Sequence, residues 1–241
     1  LEVLLPTPPK SHYLFNMRDL SKVVQGVLQA TKQFYDSTDA MLQLWCHEVF
    51  RIFGDRMWDQ QDKDWLQQQL NDKLINVLGS SWGQLFEDGE VPVFVSFMRA
   101  VDQPPYEPVT DMRALKGFLT DKLEDYNLEP GTKALPLVLF RDALHHVCRI
   151  HRVLRQPRGN MLVVGIGGAG RKSVARLAAY TAEMKLFTVE ITKNYRAAEF
   201  HEDMKALFVQ AGGAKKQPTV FLFDDTQVVV ETFLEDITNV L

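Results

Sequence analysis

The sequence predicts an α/β fold, a parallel sheet preceded by an all-helical region, and three observations carry that prediction. Apolar residues recur at helical spacing from Asn16 to Leu78. From Asn160 the period switches, and short apolar runs alternate with helix-length segments, the pattern of βαβ units. At that switch a glycine-rich turn, Gly165-Ile166-Gly167-Gly168-Ala169-Gly170, follows an apolar run and opens a basic helix.

In "FNMRDLSKVVQGVLQA" Asn16 is placed to cap the first N–H groups, and Leu20, Val23, Val24, Val27 and Leu28 form one apolar face. After the Ser37-Thr38-Asp39 cap cluster, Met41, Leu44, Trp45, Val49, Ile52 and Phe53 form a second stripe. A third runs from Trp65 to Leu78 and stops at Gly79. Residues 80–108 read as a connector around one short strand, "PVFVSFM". Helices are expected again at 111–126 and 137–154, the latter ended by Gln156-Pro157-Arg158-Gly159. Beyond it "MLVVG" predicts a buried strand, "RKSVARLAAYTAEM" a helix, "KLFTVEI" a strand, "AAEFHEDMKALFVQAGG" a helix ended by paired glycines, and "TVFLFDD" a third strand. The chain starts at Leu1 rather than Met and stops inside the helical pattern "LEDITNVL", so a segment of something longer is expected.

Composition narrows the function without naming it. A hydrophobic content of 46% predicts a packed core, and a net charge of −4 exerts no general pull on nucleic acid or an anionic membrane. Any phosphate site must therefore be local. No apolar run approaches the roughly 20 residues of a membrane span. Cys46 and Cys148 have neither disulfide-framework nor zinc-knuckle spacing, which fits a reducing compartment, the cytoplasm by default.

The glycine turn admits two readings. Gly165-x-Gly167-x-x-Gly170, with Glu190 at the end of the next strand, matches a dinucleotide fingerprint and hence an oxidoreductase. Gly165-x-x-x-x-Gly170 followed by Arg171, Lys172 and Ser173 matches a P-loop in which main-chain N–H groups cradle phosphates. The P-loop is favoured by "VFLFDD": Asp224 would orient the water shell of Mg²⁺ together with the Ser173 hydroxyl, and Asp225 stands where a water-orienting carboxylate belongs. Capping of a helix near Thr226 is the plainer role for the two acids. A phosphate-free turn is the third possibility. Asp142, His145, His146, Cys148 and His151 include ligand-type side chains at three-residue steps, but such steps drift around a helix, and Cys148 falls on the apolar face with Leu144 and Val147.

Four blocks in order, "SHYLFNMRDLSKVVQG" (11–26), "LWCHEVFRIFGDRM" (44–57), "RIHRVLRQPRGNMLVVGIGGAGRKSVARLAAY" (149–180) and "TVFLFDDTQVVVETFLEDI" (219–237), resemble the dynein heavy chain motor of the axonemal type. The resemblance implies that residues 1–100 are the helical lid of the third AAA+ module with its connector. Residues 101–241 would be the N-terminal part of the fourth, through its Walker A and Walker B strands. It further implies ATP or ADP at Gly165, Gly167, Gly168, Ala169, Gly170, Arg171, Lys172 and Ser173, with Mg²⁺ held through Ser173 and Asp224. Arg18 matches a lid arginine of the sensor 2 type, directed at the preceding module's nucleotide.

Two departures from the implied pattern point to a slow or silent, regulatory or structural site. Arg171 replaces the P-loop lysine with a planar fork, and Asp225 is one methylene shorter than the usual glutamate. Lys172 does not simply substitute, since one step along a helix turns a side chain by about 100°. Tyr106-Glu107-Pro108-Val109 would lie near the adenine or form a rigid surface turn. The implied partners are the remaining AAA+ modules of the same heavy chain, the microtubule, and dynein intermediate and light chains, with no nucleic acid or membrane. The implied location is the cytoskeleton of the ciliary axoneme. The resemblance places a sensor 1 strand between the Walker A and Walker B strands, and none is found here. An incomplete sheet and poor solubility of the free chain are therefore expected.

Overall fold

The computed structural model describes residues 4–31, 35–214 and 216–240, which fall into two compact units divided between Met112 and Arg113. In the first unit, α1 (Met17–Val27) starts at the expected cap. The Asn16 side chain accepts from the Arg18 N–H, and Asp19 returns a bond to the Asn16 N–H at 2.9 Å, completing a capping box. Its buried side is the predicted stripe only in part: Val23 is buried and Val27 partly buried, together with Asp19 and Gly26, while Leu20, Val24 and Leu28 are exposed. The physical cause lies across the helix pair. Arg56 holds Asp19 at 2.9 Å, and the missing side chain of Gly26 makes room for Glu48 of α2 (Thr38–Ile52).

The helix α2 is capped by Ser37 and runs through the middle of this unit, burying Leu42, Leu44, Cys46, His47, Glu48 and Val49. Next, α3 (Gln60–Lys73) begins at an Asp59 cap, earlier than the expected Trp65. It buries Leu66 and Leu70 and ends through a wide turn at Gly79, whose φ of 67° supplies the left-handed C-cap. With the short α4 (Trp82–Leu85), these helices enclose a core that includes Tyr13, Val23, Cys46, Leu70 and Trp82. Burial pushes the Cys46 thiol up to about 12, which leaves it an inert core residue.

The strand predicted in "PVFVSFM" forms as β1 (Phe94–Val95), paired antiparallel with β2 (Glu107–Pro108). This corrects the expectation of a rigid surface turn at Tyr106, which is buried. Its ring is buried against Phe94, its OH donates to Glu48 Oε1 at 2.9 Å, and the Tyr106 hydroxyl oxygen lies 3.1 Å from His47 Nε2. The His47 Nδ1–H faces the Pro92 carbonyl at 3.0 Å. A buried carboxylate at Glu48 is tolerable because these partners answer it.

The second unit runs α5 (Met112–Leu128), α6 (Arg141–Leu154), α7 (Arg171–Thr181), β3 (Lys185–Phe187), α8 (Ala197–Gly212), β4 (Thr219–Phe221) and α9 (Thr232–Thr238). The predicted parallel pairing is present: Lys185, Leu186 and Phe187 face Thr219, Val220 and Phe221, and the ladder continues where the Leu222 N–H donates to the Phe187 carbonyl at 2.9 Å. α6 packs against α7, and α7 against β3. Phe200 and Phe233, both fully buried, stack at 4.3 Å and tie α8 to α9 beneath the sheet's aromatic Phe187, Phe221 and Phe223.

The sheet is smaller than predicted. "MLVVG" is not a buried strand: residues 159–166 have no ladder among the described residues, and Leu162, Val164 and Ile166 are 87%, 82% and 82% exposed. Strand propensity cannot substitute for neighbours, because each strand needs hydrogen-bonding partners at its edges and packing on its faces. Replacing Leu162 and Val164 by Glu is expected to shift folding stability by no more than about 0.5 kcal/mol while reducing self-association, followed by light scattering. Unchanged association would show that this run is not the sticky surface.

Candidate functional site

The site is assembled where the glycine turn enters α7. Gly168 and Gly170 have φ of 80° and 76°, the left-handed region that side chains avoid, and Gly170 stands at the N-cap position with no side-chain cap. The first helical bond comes from the Val174 N–H to the Gly170 carbonyl at 2.9 Å. The N–H groups of Arg171, Lys172 and Ser173 thus point out of the helix start without an intrahelical acceptor. No acid lies in this first turn, which instead carries two cations at the positive end of the helix dipole. That arrangement becomes favourable when an anion sits on the loop. Added methyls at Gly167 and Gly168 would meet nothing within 4 Å, so the loop's outer side is open.

Arg171 folds back over the start of the loop. A methyl group on Gly165 would lie 3.5 Å from its Cδ and 3.9 Å from its Nε. Ser173 is half-buried on the same turn. Lys172 points elsewhere, its Nζ donating to Asp224 Oδ2 at 3.0 Å. The two elements thereby bring a basic residue of the loop and the first acid of "FLFDD" into direct contact across 52 positions.

Asp224 takes the capping role. Its Oδ1 accepts from the Thr226 N–H at 2.9 Å and from the Thr226 hydroxyl, closing a turn over Asp225–Gln227. Burial pushes its carboxyl up, but the Thr226 and Lys172 hydrogen bonds outweigh that and hold it below the usual carboxylate range. Asp225 is exposed. Gln227, which the sequence reading missed, is buried and joins the strand ends. Its Oε1 accepts from the Asp224 N–H at 2.7 Å, while its Nε2 donates to Thr188 Oγ1 at 2.9 Å and to the Val189 carbonyl at 2.6 Å. The Asp-x-x-Gln spacing of a capping box was the available signal.

The donor chemistry at this point separates two ligands. An open bend of main-chain N–H groups flanked by Arg171 fits a polyphosphate. Ser173 and Asp224 are the hard oxygens Mg²⁺ prefers, but one carboxylate oxygen of Asp224 already holds an ammonium and the other holds Thr226. As arranged, the residues do not fit the metal.

Arg18 is exposed on α1 in the first unit, and Asp19 beside it is paired with Arg56. Glu190 is exposed beyond β3. On α6, Cys148 is buried with Leu144 and Val147, and burial lowers His151 to about 4, so its ring is neutral near pH 7. Among the described residues no three His, Cys, Asp or Glu side chains are grouped to hold a metal.

Comparison with known proteins matches two separate stretches of the chain. Residues 2–81 match an AAA+ lid domain, and residues 135–241 match the P-loop containing dynein motor region D4. The chain is 65% identical over 241 residues to the Dynein-1-beta heavy chain, flagellar inner arm I1 complex, of Chlamydomonas reinhardtii, with 99% of the chain covered. It is 46% identical over 237 residues to human Dynein axonemal heavy chain 2 and 43% identical over 239 residues to rat Dynein axonemal heavy chain 1, with 98% and 99% of the chain covered. In each case it spans only 5% of the relative's length. The dinucleotide reading of the glycine turn has no support from these matches. The chain belongs to the axonemal dynein heavy chain family and carries an AAA+ lid followed by the P-loop part of motor region D4.

Proposed function

We propose that residues 165–173 bind the phosphates of ATP or ADP within the ring of an ATP-driven microtubule motor, and that this site regulates or braces the ring rather than supplying its main hydrolysis. The observation that carries the reading is the start of α7, where two left-handed glycines, an uncapped turn and Arg171 folded over Gly165 leave an open, positively charged bend. Bound there, the nucleotide would supply a polyanion that draws the loop, Arg171 and the first turn of α7 together. Slow or absent turnover follows from the acids: Asp224 is engaged on both oxygens, and Asp225 is a short side chain on an exposed turn.

The same proposal makes residues 1–100 the lid of the third AAA+ module and 101–241 the start of the fourth. Exposure leaves Arg18 able to reach the nucleotide of the module before it. The remaining modules of the heavy chain, dynein intermediate and light chains and the microtubule are the partners, and the axonemal cytoskeleton is the location.

In calorimetric titration of the 241-residue chain, ADP or ATP is expected to bind, and Arg171→Ala to weaken that binding by about tenfold or more through loss of a charge-assisted contact. A structural module without nucleotide is the second reading, favoured by the internal partners of Asp224. Neither ligand shifting thermal stability at millimolar concentration would decide for it.

A further inference from the structure

We propose that Lys172 occupies at Asp224 the position a divalent cation would take, so that this loop holds its nucleotide independently of Mg²⁺. The inference rests on the nucleotide reading above and concerns how the same site is neutralised. Asp224 is mostly withdrawn from solvent, with 16% of its side chain exposed, and a carboxylate so placed requires a counter-charge. The Lys172 ammonium supplies it at 3.0 Å, a charge-assisted hydrogen bond of ordinary length. Lys172 itself is 55% exposed, so its stem arches over the surface to deliver the charge rather than being trapped there.

The other carboxylate oxygen is committed to Thr226, and the main-chain N–H of Asp224 to Gln227, so both carboxylate oxygens are engaged and the backbone that carries them is anchored. Mg²⁺ demands near-octahedral oxygen ligands at about 2.0–2.1 Å and gives up its waters reluctantly. To engage Asp224 directly it would have to displace an ammonium anchored on the adjoining helix and remain beside it, two cations sharing one carboxylate. Charge counting points the same way. The start of α7 carries Arg171 and Lys172 in succession, with no acid in the turn. With Lys172 answering Asp224, Arg171 is left to face a polyphosphate without an unbalanced carboxylate beside it, and the neutralisation of Asp224 normally left to a metal is built into the chain.

The test is titration of the 241-residue chain with ADP in excess Mg²⁺ and again in EDTA, for the unaltered chain, Lys172→Gln and Lys172→Arg. The unaltered chain and Lys172→Arg are expected to change affinity by less than about threefold between the two media, whereas Lys172→Gln becomes Mg²⁺-dependent by about tenfold or more. Because Lys172 is largely exposed, both variants should retain the parent far-UV circular dichroism. Tenfold weakening of the unaltered chain in EDTA would overturn the inference while leaving the nucleotide reading intact. So would a Lys172→Gln variant as indifferent to Mg²⁺ as its parent. Absence of binding in both media would remove the nucleotide reading and this inference together.

Discussion

Gly26→Ala is expected to destabilise the helical unit by about 3 kcal/mol or more, against the usual sign for such a change. In an open helix interior, glycine to alanine gains about 1 kcal/mol through backbone entropy and helix propensity. At Gly26 a methyl group would lie 1.7 Å from Glu48 Oε2, 2.3 Å from its Cδ and 2.8 Å from its Cγ. The clash is with the end of a side chain, but this one cannot swing clear. Glu48 is 0% exposed, and its Oε1 is fixed by the Tyr106 hydroxyl. Relief requires either parting α1 from α2 or moving a carboxylate away from its partners inside the core.

Urea unfolding followed by tryptophan fluorescence reads this directly, since Trp45, Trp58, Trp65 and Trp82 all lie in that unit. The comparison is Gly117→Ala in α5 of the second unit, read by the far-UV circular dichroism melt because no tryptophan lies there; an added methyl meets nothing within 4 Å and a gain of about 0.5–1 kcal/mol is expected. If Gly26→Ala instead stabilised the unit to the same extent, the close approach of α1 to Glu48 would be wrong.

Phe233→Ala is expected to cost the second unit about 3–5 kcal/mol. Phe233 is fully buried, stacked on Phe200 at 4.3 Å with the ring planes 11° apart, and meets Tyr195 edge-on at 6.0 Å. Truncation removes both aromatic contacts and leaves a cavity where α8, α9 and the sheet converge. The same cluster includes Phe221 and Phe223, which precede Asp224, so loosening it also frees the strand end that meets Lys172. Tryptophan fluorescence is blind to this unit, and the loss should appear in the far-UV circular dichroism melt as a second, earlier transition. A melt unchanged within about 1 kcal/mol would mean that α9 does not close the core.

Residue by residue, what could be read in advance was local. The Asn16 and Ser37 caps, the Gly79 stop and the helix after Gly170 each depend on groups within four positions of one another. The parallel pairing of 185–187 with 219–221 was legible because an intervening helix forces that crossover. The predicted face of α1 held at Val23 and Val27 but not at its other positions, for a different reason. Leu20, Val24 and Leu28 satisfy helical periodicity, but Arg56 and Glu48 from other helices determined which side turned inward. Tyr106 was misread because its partner is 58 positions away.

The order of residues by itself determined where helices begin, the glycine bend with its two cations, and membership of the dynein heavy chain family. Tertiary structure alone decided that "MLVVG" stands without strand neighbours among the described residues and that Lys172 closes on Asp224. Backbone geometry and capping are set by neighbours along the chain. Burial of an apolar strand and the counter-charge of a carboxylate depend on what distant segments bring within reach.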